Sequence, residues 1–261
     1  TQAWRWNLDY VVDTHGNAST YWYARETNKY AKNGDADPGA SYVRGGYLTR
    51  IDYGQRASSL FNAKPGARVV FSVKERCLAG GDSCAELKES TRNYWPDVPF
   101  DVVCTGDKVC TGMTAPSFFT RKRLVGVTTQ VWDAAASAFR QVDTWTMKQL
   151  YLDPGDTGDA TDQVLWLESV QHANEVDGTV AMPAVRFSHR FLQNRVDAEG
   201  DDLLALNRPR IYTITTETGA VVTVTYSDPG CSASSTKPAP DANTAAALLE
   251  EAVHHGEAEA A

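Results

Sequence analysis

Residues 211–226 read Ile211-Tyr-Thr-Ile-Thr-Thr-Glu-Thr-Gly-Ala-Val-Val-Thr-Val-Thr-Tyr226. Two runs of β-branched and aromatic residues flank a Thr218-Gly219 turn. β-Branched side chains suit a pleated strand, and glycine supplies the positive φ that a tight hairpin needs. The same arrangement stands near the N-terminus. There Val11-Val12-Asp13-Thr14-His15-Gly16-Asn17 leads to Thr20-Tyr21-Trp22-Tyr23. In each copy a strand runs into x-Gly, turns, and returns to a Tyr seven positions after the glycine, Tyr23 or Tyr226. That Tyr is placed to cover the hairpin's apolar face. Two such hairpins suggest an array of one repeated unit; the alternative is shared turn chemistry.

Outward from these hairpins the two-residue period recurs. Val69, Phe71 and Val73 share a face, as do Val185, Phe187, His189 and Phe191. Trp4, Trp6, Leu8, Tyr10 and Val12 alternate with mainly polar residues, predicting an N-terminal strand with one buried face. Further strands are expected near Val125 and Trp145. Gly, Pro and Asp clusters at Asn33 to Gly39, Ala79 to Asp82 and Asp153 to Asp162 mark breaks. Glu86 to Arg92 reads as one helical turn. The class is all-β: an elongated antiparallel assembly of sheets and hairpins, with a propeller-like or sandwich arrangement as the alternative.

The chain begins within a strand pattern with no signal segment, as a piece of a longer protein would. Three regions are expected: a β-rich segment over 1–231, a Pro/Ser/Ala linker over 232–244, and an Ala/Glu-rich tail over 245–261, disordered or weakly helical. The apolar fraction of 42% in 261 residues allows a sizeable interior. The net charge of −8 argues against nucleic acid and anionic membrane as partners. No apolar run reaches the roughly 20 residues that span a bilayer.

Several segments together resemble a known family. They are Asp13-Thr-His-Gly-Asn-Ala-Ser-Thr-Tyr-Trp-Tyr, Gly46-Tyr-Leu-Thr-Arg-Ile-Asp-Tyr-Gly-Gln-Arg, Trp95-Pro-Asp-Val-Pro and Thr120-Arg-Lys-Arg-Leu. Further on come Leu165-Trp-Leu-Glu-Ser-Val, Asn194-Arg-Val-Asp and Thr216-Glu-Thr-Gly-Ala. Their order over residues 4–231 resembles the region leading into the repeats of Rhs (YD-repeat) proteins. The nearest likeness is to the large secreted kind of high-GC Gram-positive bacteria, that is, actinobacteria. More distantly it is similar to the B component of insecticidal toxin complexes. The Tyr-Asp repeat itself is absent as clean tandem copies, and the sequence after Asn243 departs from the family. The resemblance implies a non-catalytic role in a curled β-shell that encloses or delivers a C-terminal toxin or effector. Its partner would be the remainder of the parent chain.

The search for chemistry supports no enzyme. Cys77 and Cys84, and Cys104 and Cys110, form two close pairs whose spacing does not suit zinc, with no His between Gly16 and Gln171. Disulfides Cys77–Cys84 and Cys104–Cys110 are expected, with cross-pairing of the same four as the alternative. Such bridges imply a secreted or cell-wall-associated, extracellular location. Cys231 is left unpaired. Asp156-Thr157-Gly158 matches the aspartic-protease triplet, but Pro154-Gly155 precedes it where an apolar strand belongs, and no second copy exists. Asp153, Asp156, Asp159 and Asp162 lack calcium-loop spacing, and they and the stretch Asp197, Glu199, Asp201, Asp202 read as solvated turns. His15 and His172 fall near polar turns, and His189 on an apolar strand face. His254 and His255 lie in the tail. No metal or cofactor motif appears. The rival reading is a carbohydrate-binding module for cell-surface glycans, with Trp22, Tyr21 and Tyr23 as the sugar platform; the bland reading of the N-terminal aromatics is core. Unpaired edge strands would make the isolated chain self-associate.

Overall fold

The computed structural model describes residues 3–79, 84–196 and 204–227. Cys231, the 197–202 acidic stretch, the linker at 232–244 and the tail at 245–261 lie outside the described residues. The strands are β1 (Tyr10–Val12), β2 (Asn17–Lys32), β3 (Asp35–Arg56), β4 (Ala67–Glu75), β5 (Lys122–Asp133) and β6 (Ala138–Leu152). They continue with β7 (Val164–Asn174), β8 (Val180–Ala181), β9 (Val185–Gln193), β10 (Asn207–Thr215) and β11 (Val221–Thr223). All belong to one 11-stranded antiparallel sheet in the order β1-β2-β3-β4-β5-β6-β7-β9-β10-β11, with β8 paired to β7. The path is open, ending on β1 and β11. The all-β class stands. The described strands form one meandering sheet, so the sandwich and propeller alternatives fall.

Strand register gives the sheet two unlike faces. Phe71, Val127, Trp145 and His172 are cross-strand partners in one row across β4 to β7. Thr20, Asp52, Arg68, Gln130 and Gln141 form a polar row across β2 to β6. Phe71 and Arg68 lie three residues apart on β4, which puts the rows on opposite faces. On the apolar face Trp145 stacks on His172 with centroids 4.9 Å apart. His172 sits in β7, two residues before the strand ends at Asn174 and the turn expected near it follows. His189 lies between Trp166 and Phe191, at 5.4 and 5.2 Å.

The two hairpins singled out in the sequence share one hydrogen-bond plan. The Asp13 amide donates to the Asn17 carbonyl, and the Thr216 amide to Ala220. The Gly16 amide donates to Asp13, and Gly219 to Thr216. The Tyr21 amide reaches Asp9 and that of Val224 reaches Tyr212, both at 2.8 Å. The Tyr23 hydroxyl donates to the Leu8 carbonyl at 3.2 Å, and that of Tyr226 to Ile211 at 3.0 Å. Every partner sits at the same offset from its glycine. Gly16 and Gly219 have φ of +75° and +88°, with open space where a Cβ would stand. Replacing either by Ala should cost about 1 kcal/mol, since the penalty is conformational alone. Thermal melts of Gly16→Ala and Gly219→Ala should shift by similar amounts, and a difference of several-fold would break the equivalence.

Three expectations need correction. The N-terminal strand is only Tyr10–Val12. Trp4, Trp6 and Leu8 lie outside any strand and are exposed, Trp6 at 89%, so they are not core. Trp4 instead turns aside, its Nε1 donating to the Val43 carbonyl at 3.0 Å and its ring meeting Phe118 at 4.2 Å. The sizeable interior is also not built as composition suggested. A single sheet leaves most apolar side chains half-buried, and the described apolar core sits mainly in the long connection from β4 to β5. The helical turn expected at Glu86 to Arg92 appears slightly later, as a 3₁₀ turn over Glu89–Tyr94. It is capped by the Thr91 hydroxyl, which accepts from the Lys88 amide at 3.0 Å.

Candidate functional site: a cystine-braced lobe docked on a β-ribbon

β2 and β3 are the longest strands, and their outer halves project past the rest of the sheet. Asn33 and Gly34, at φ of +58° and +87°, close this ribbon as a two-residue hairpin. β3 restarts at Asp35, but residues 36–39 have no partner on β2 and carry the cis Asp37-Pro38 bond and Gly39 at φ +72°, so the break expected over Asn33 to Gly39 is a two-residue turn followed by a bulge. Residues 76–79 and 84–121 fold back onto the ribbon as a lobe.

Two disulfides brace the lobe. Cys77 and Cys84 are bridged with Cα atoms 5.5 Å apart, and Cys104 and Cys110 with Cα atoms 5.7 Å apart. Trp95, Val98 and Val103 pack with Cys77, and Ala31 packs with Cys104 and Cys110. Backbone bonds dock the lobe: the Lys29 amide donates to Cys104, Ala31 to Met113, and Cys110 to Ala36, at 2.8–3.0 Å. Buried Asn28 accepts from the Cys104 amide at 2.8 Å and donates to the Val102 carbonyl at 2.8 Å. The Tyr42 hydroxyl donates to the Ser117 carbonyl and accepts from the Ser117 amide.

A buried ion pair anchors the lobe's exit. Arg44 Nη2 meets Glu26 Oε1 at 2.8 Å. Glu26 also accepts from the Thr120 hydroxyl at 2.7 Å and the Arg121 amide at 3.0 Å. Arg44 donates to the Phe119 and Thr27 carbonyls and lies over the Phe119 ring. Burial pulls the Arg44 pKa below its ordinary value, opposed by the Glu26 charge. At the lobe's entry Arg76 pairs with Asp97, and Tyr151 of β6 donates to Asp97 Oδ1 and the Arg76 carbonyl at 2.7 Å. Burial, then the bond to Asp97, pushes the Tyr151 phenol up. Arg76, despite burial, is held above its usual pKa by the bond to Asp97 and its charge. These hydrogen-bonded groups tie the lobe's entry and exit to the sheet.

The other residues of interest do different work. Asp156 accepts from both the amide and the side chain of Asn207, at 2.6 Å each, fastening the β6–β7 loop to β10. Asp162 accepts from the Asp156 and Thr157 amides, so the protease-like triplet is a loop brace. Asp153 and Asp159 accept from the amides of Gly155 and Thr161. Trp22, Tyr21 and Tyr23 do not share a face. Strand alternation sends Trp22 opposite to the two tyrosines. Arg50 covers the Trp22 ring at 4.6 Å, and its Nε1 is held by Thr20.

Four aspartates at the turns and on the sheet have pKa values below the ordinary carboxylate range. The chief causes are the Asn17 side chain for Asp13, the Ala136 amide for Asp133, the bond with His172 for Asp143, and the Thr161 side chain for Asp159. A carboxylate lowered in the folded state contributes stability above its unfolded pKa of about 3.9, which is lost as pH falls through the folded value. Thermal stability should therefore be flat from pH 7 to 5 with respect to these groups, and fall below about pH 4. Asp143→Asn should shrink that acid loss; an unchanged acid limb in the variant would contradict the assignment.

No protein-family model and no curated protein matches the chain. Among solved structures, TcdB2-TccC3-TEV aligns with 84% of this chain and 11% of its own, at 16% identity and a TM-score of 0.41. TcdB2-TccC3 without its hypervariable C-terminal region aligns with 71% and 9%, at 14% identity and a TM-score of 0.39. The chain thus spans about a tenth of the length of the solved structures it matches. Among the described residues no group of three or more His, Cys, Asp or Glu is placed to hold a metal ion. Among the same residues no helix is long and apolar enough to cross a membrane.

Proposed function

We propose that this chain is a non-catalytic structural segment of a secreted Rhs-type protein, helping to build the β-shell that encloses or delivers a C-terminal toxin or effector. The observation that carries the reading is the repeated hairpin. One hydrogen-bond plan, used at both ends of an open meander, is how a sheet grows by adding units. The lobe supports it, because its polar groups fasten strands together. Two disulfides suit an oxidising, extracellular compartment.

Electron microscopy of the parent protein tests the reading. The expected image is a sheet continuing past β1 and β11 and curling around an enclosed domain. A separate unit whose edges are capped by its own loops would overturn it. So would hydrolase turnover by this chain that vanishes in Asp143→Asn or His172→Ala. The isolated chain, with β1 and β11 as open edges, should self-associate with rising concentration. Sedimentation that stays monomeric at high concentration would count against that.

A further inference from the structure

β3 and β4 are paired only from Arg50↔Val70 to Tyr53↔Ala67. Past Arg50 they part: residues 43–48 of β3 pair only with β2, and residues 71–75 of β4 only with β5. A cleft of about 560 Å³ opens at the fork. Tyr47 and Leu48 line one side, Phe71, Val73 and Leu124 the other, and Trp4 closes an end.

Two properties of this cleft want a complement. The first is backbone. Along a strand, alternate residues turn their amide and carbonyl groups to opposite sides. Trp4 takes the Val43 carbonyl and the Phe119 carbonyl lies against Gly45, so the stretch of β3 left facing a departed neighbour is Gly46 to Leu48. The second is charge. Arg5, Lys122 and Arg123 line the cleft with Arg44, against one acidic residue, Glu26. Arg44 and Glu26 neutralise one another, and Lys122 is paired with Glu75. Arg123 differs. Among the described residues its guanidinium bonds only neutral acceptors, the Glu75 carbonyl at 3.0 Å and Gln149 Oε1 at 2.7 Å. Burial lowers its pKa. In a chain of net charge −8 this is a local cationic site with an apolar floor.

We propose that the fork between β3 and β4 binds an extended peptide of a partner protein, laid along the open edge of β3. Its apolar side chains fill the floor, and its Asp or Glu side chains meet Arg123 and Arg5. Main-chain bonds supply affinity and the alternating side chains supply selectivity, as in strand addition generally. The occupant is an acidic, apolar strand.

The probe is a library of acetylated hexapeptides, randomised over apolar, acidic, basic and amide residues and captured on the immobilised full chain. Captured sequences should alternate apolar residues with Asp or Glu. Binding of a purified hit should fall tenfold or more with Arg5→Glu and with Leu124→Lys. Both positions are solvent-accessible, and circular dichroism melts show whether each variant folds. N-methylation at alternate backbone positions of the hit should abolish binding. No enrichment, or equal capture of Lys-rich peptides, overturns the proposal. A hit that survives N-methylation and is displaced by octanoate marks a pocket for small apolar anions, and overturns it as well.

Discussion

Arg44→Met should destabilise the folded chain by about 3–5 kcal/mol, because it strands the Glu26 carboxylate without its counter-charge in a buried site. The side chains of Arg44 and Glu26 are only 6% and 4% exposed, so water cannot replace the lost partner. Glu26 would keep its bonds from Thr120 and Arg121, but those neutral donors do not cancel a buried charge. The double variant Glu26→Gln/Arg44→Met should recover a large part of the loss, since it removes both charges together. Urea unfolding of the wild type, both single variants and the double variant closes the cycle. Hydrogen exchange should locate the damage at the Arg121 amide, where the lobe feeds into β5. An Arg44→Met variant within about 1 kcal/mol of wild type would place this pair among ordinary surface ion pairs.

This anchor was invisible in the sequence, and the reason is physical. Glu26 and Arg44 lie 18 residues apart, and only the register of a ribbon closed at Asn33-Gly34 sets them together. Asn-Gly is among the strongest local hairpin signals, and it makes the turn here, but the bulge that follows it to Gly39 hides in the sequence the strand that resumes beyond. The hairpins at Gly16 and Gly219 were legible because each carries its whole signal locally: β-branched strands, a glycine turn and a Tyr at fixed distance. The N-terminal alternation misled for the opposite reason. Trp4 to Leu8 has strand periodicity, but no strand stands beside it, and Trp4 is better satisfied by Phe118 and the Val43 carbonyl. Periodicity reports which residues prefer one face, not whether a neighbour exists to cover it. Asp156 shows the same limit in a loop, since its partner Asn207 lies 51 residues away.

The bridge Cys104–Cys110 should be worth about 2–4 kcal/mol, and its loss should loosen the lobe from the ribbon as a unit. The chain-entropy part is modest because the two cysteines are only six positions apart in sequence. Burial adds to it. Both cysteines are fully buried, and their backbone groups join the ribbon at Asn28, Lys29 and Ala36. Cys104→Ala/Cys110→Ala is the informative variant, because Ser would add a buried hydroxyl in need of a partner. Its unfolding midpoint should fall more than that of Cys77→Ala/Cys84→Ala. The second bridge closes a loop of similar length, but Cys84 is only partly buried. Limited proteolysis should then cut first within residues 104–117, where the Asn28 and Tyr42 bonds would no longer hold the chain against β2 and β3. Equal losses for the two pairs would mean that loop closure alone sets the value of each bridge. Cleavage elsewhere would mean that the Glu26–Arg44 anchor and the Tyr42 bonds hold the lobe without it.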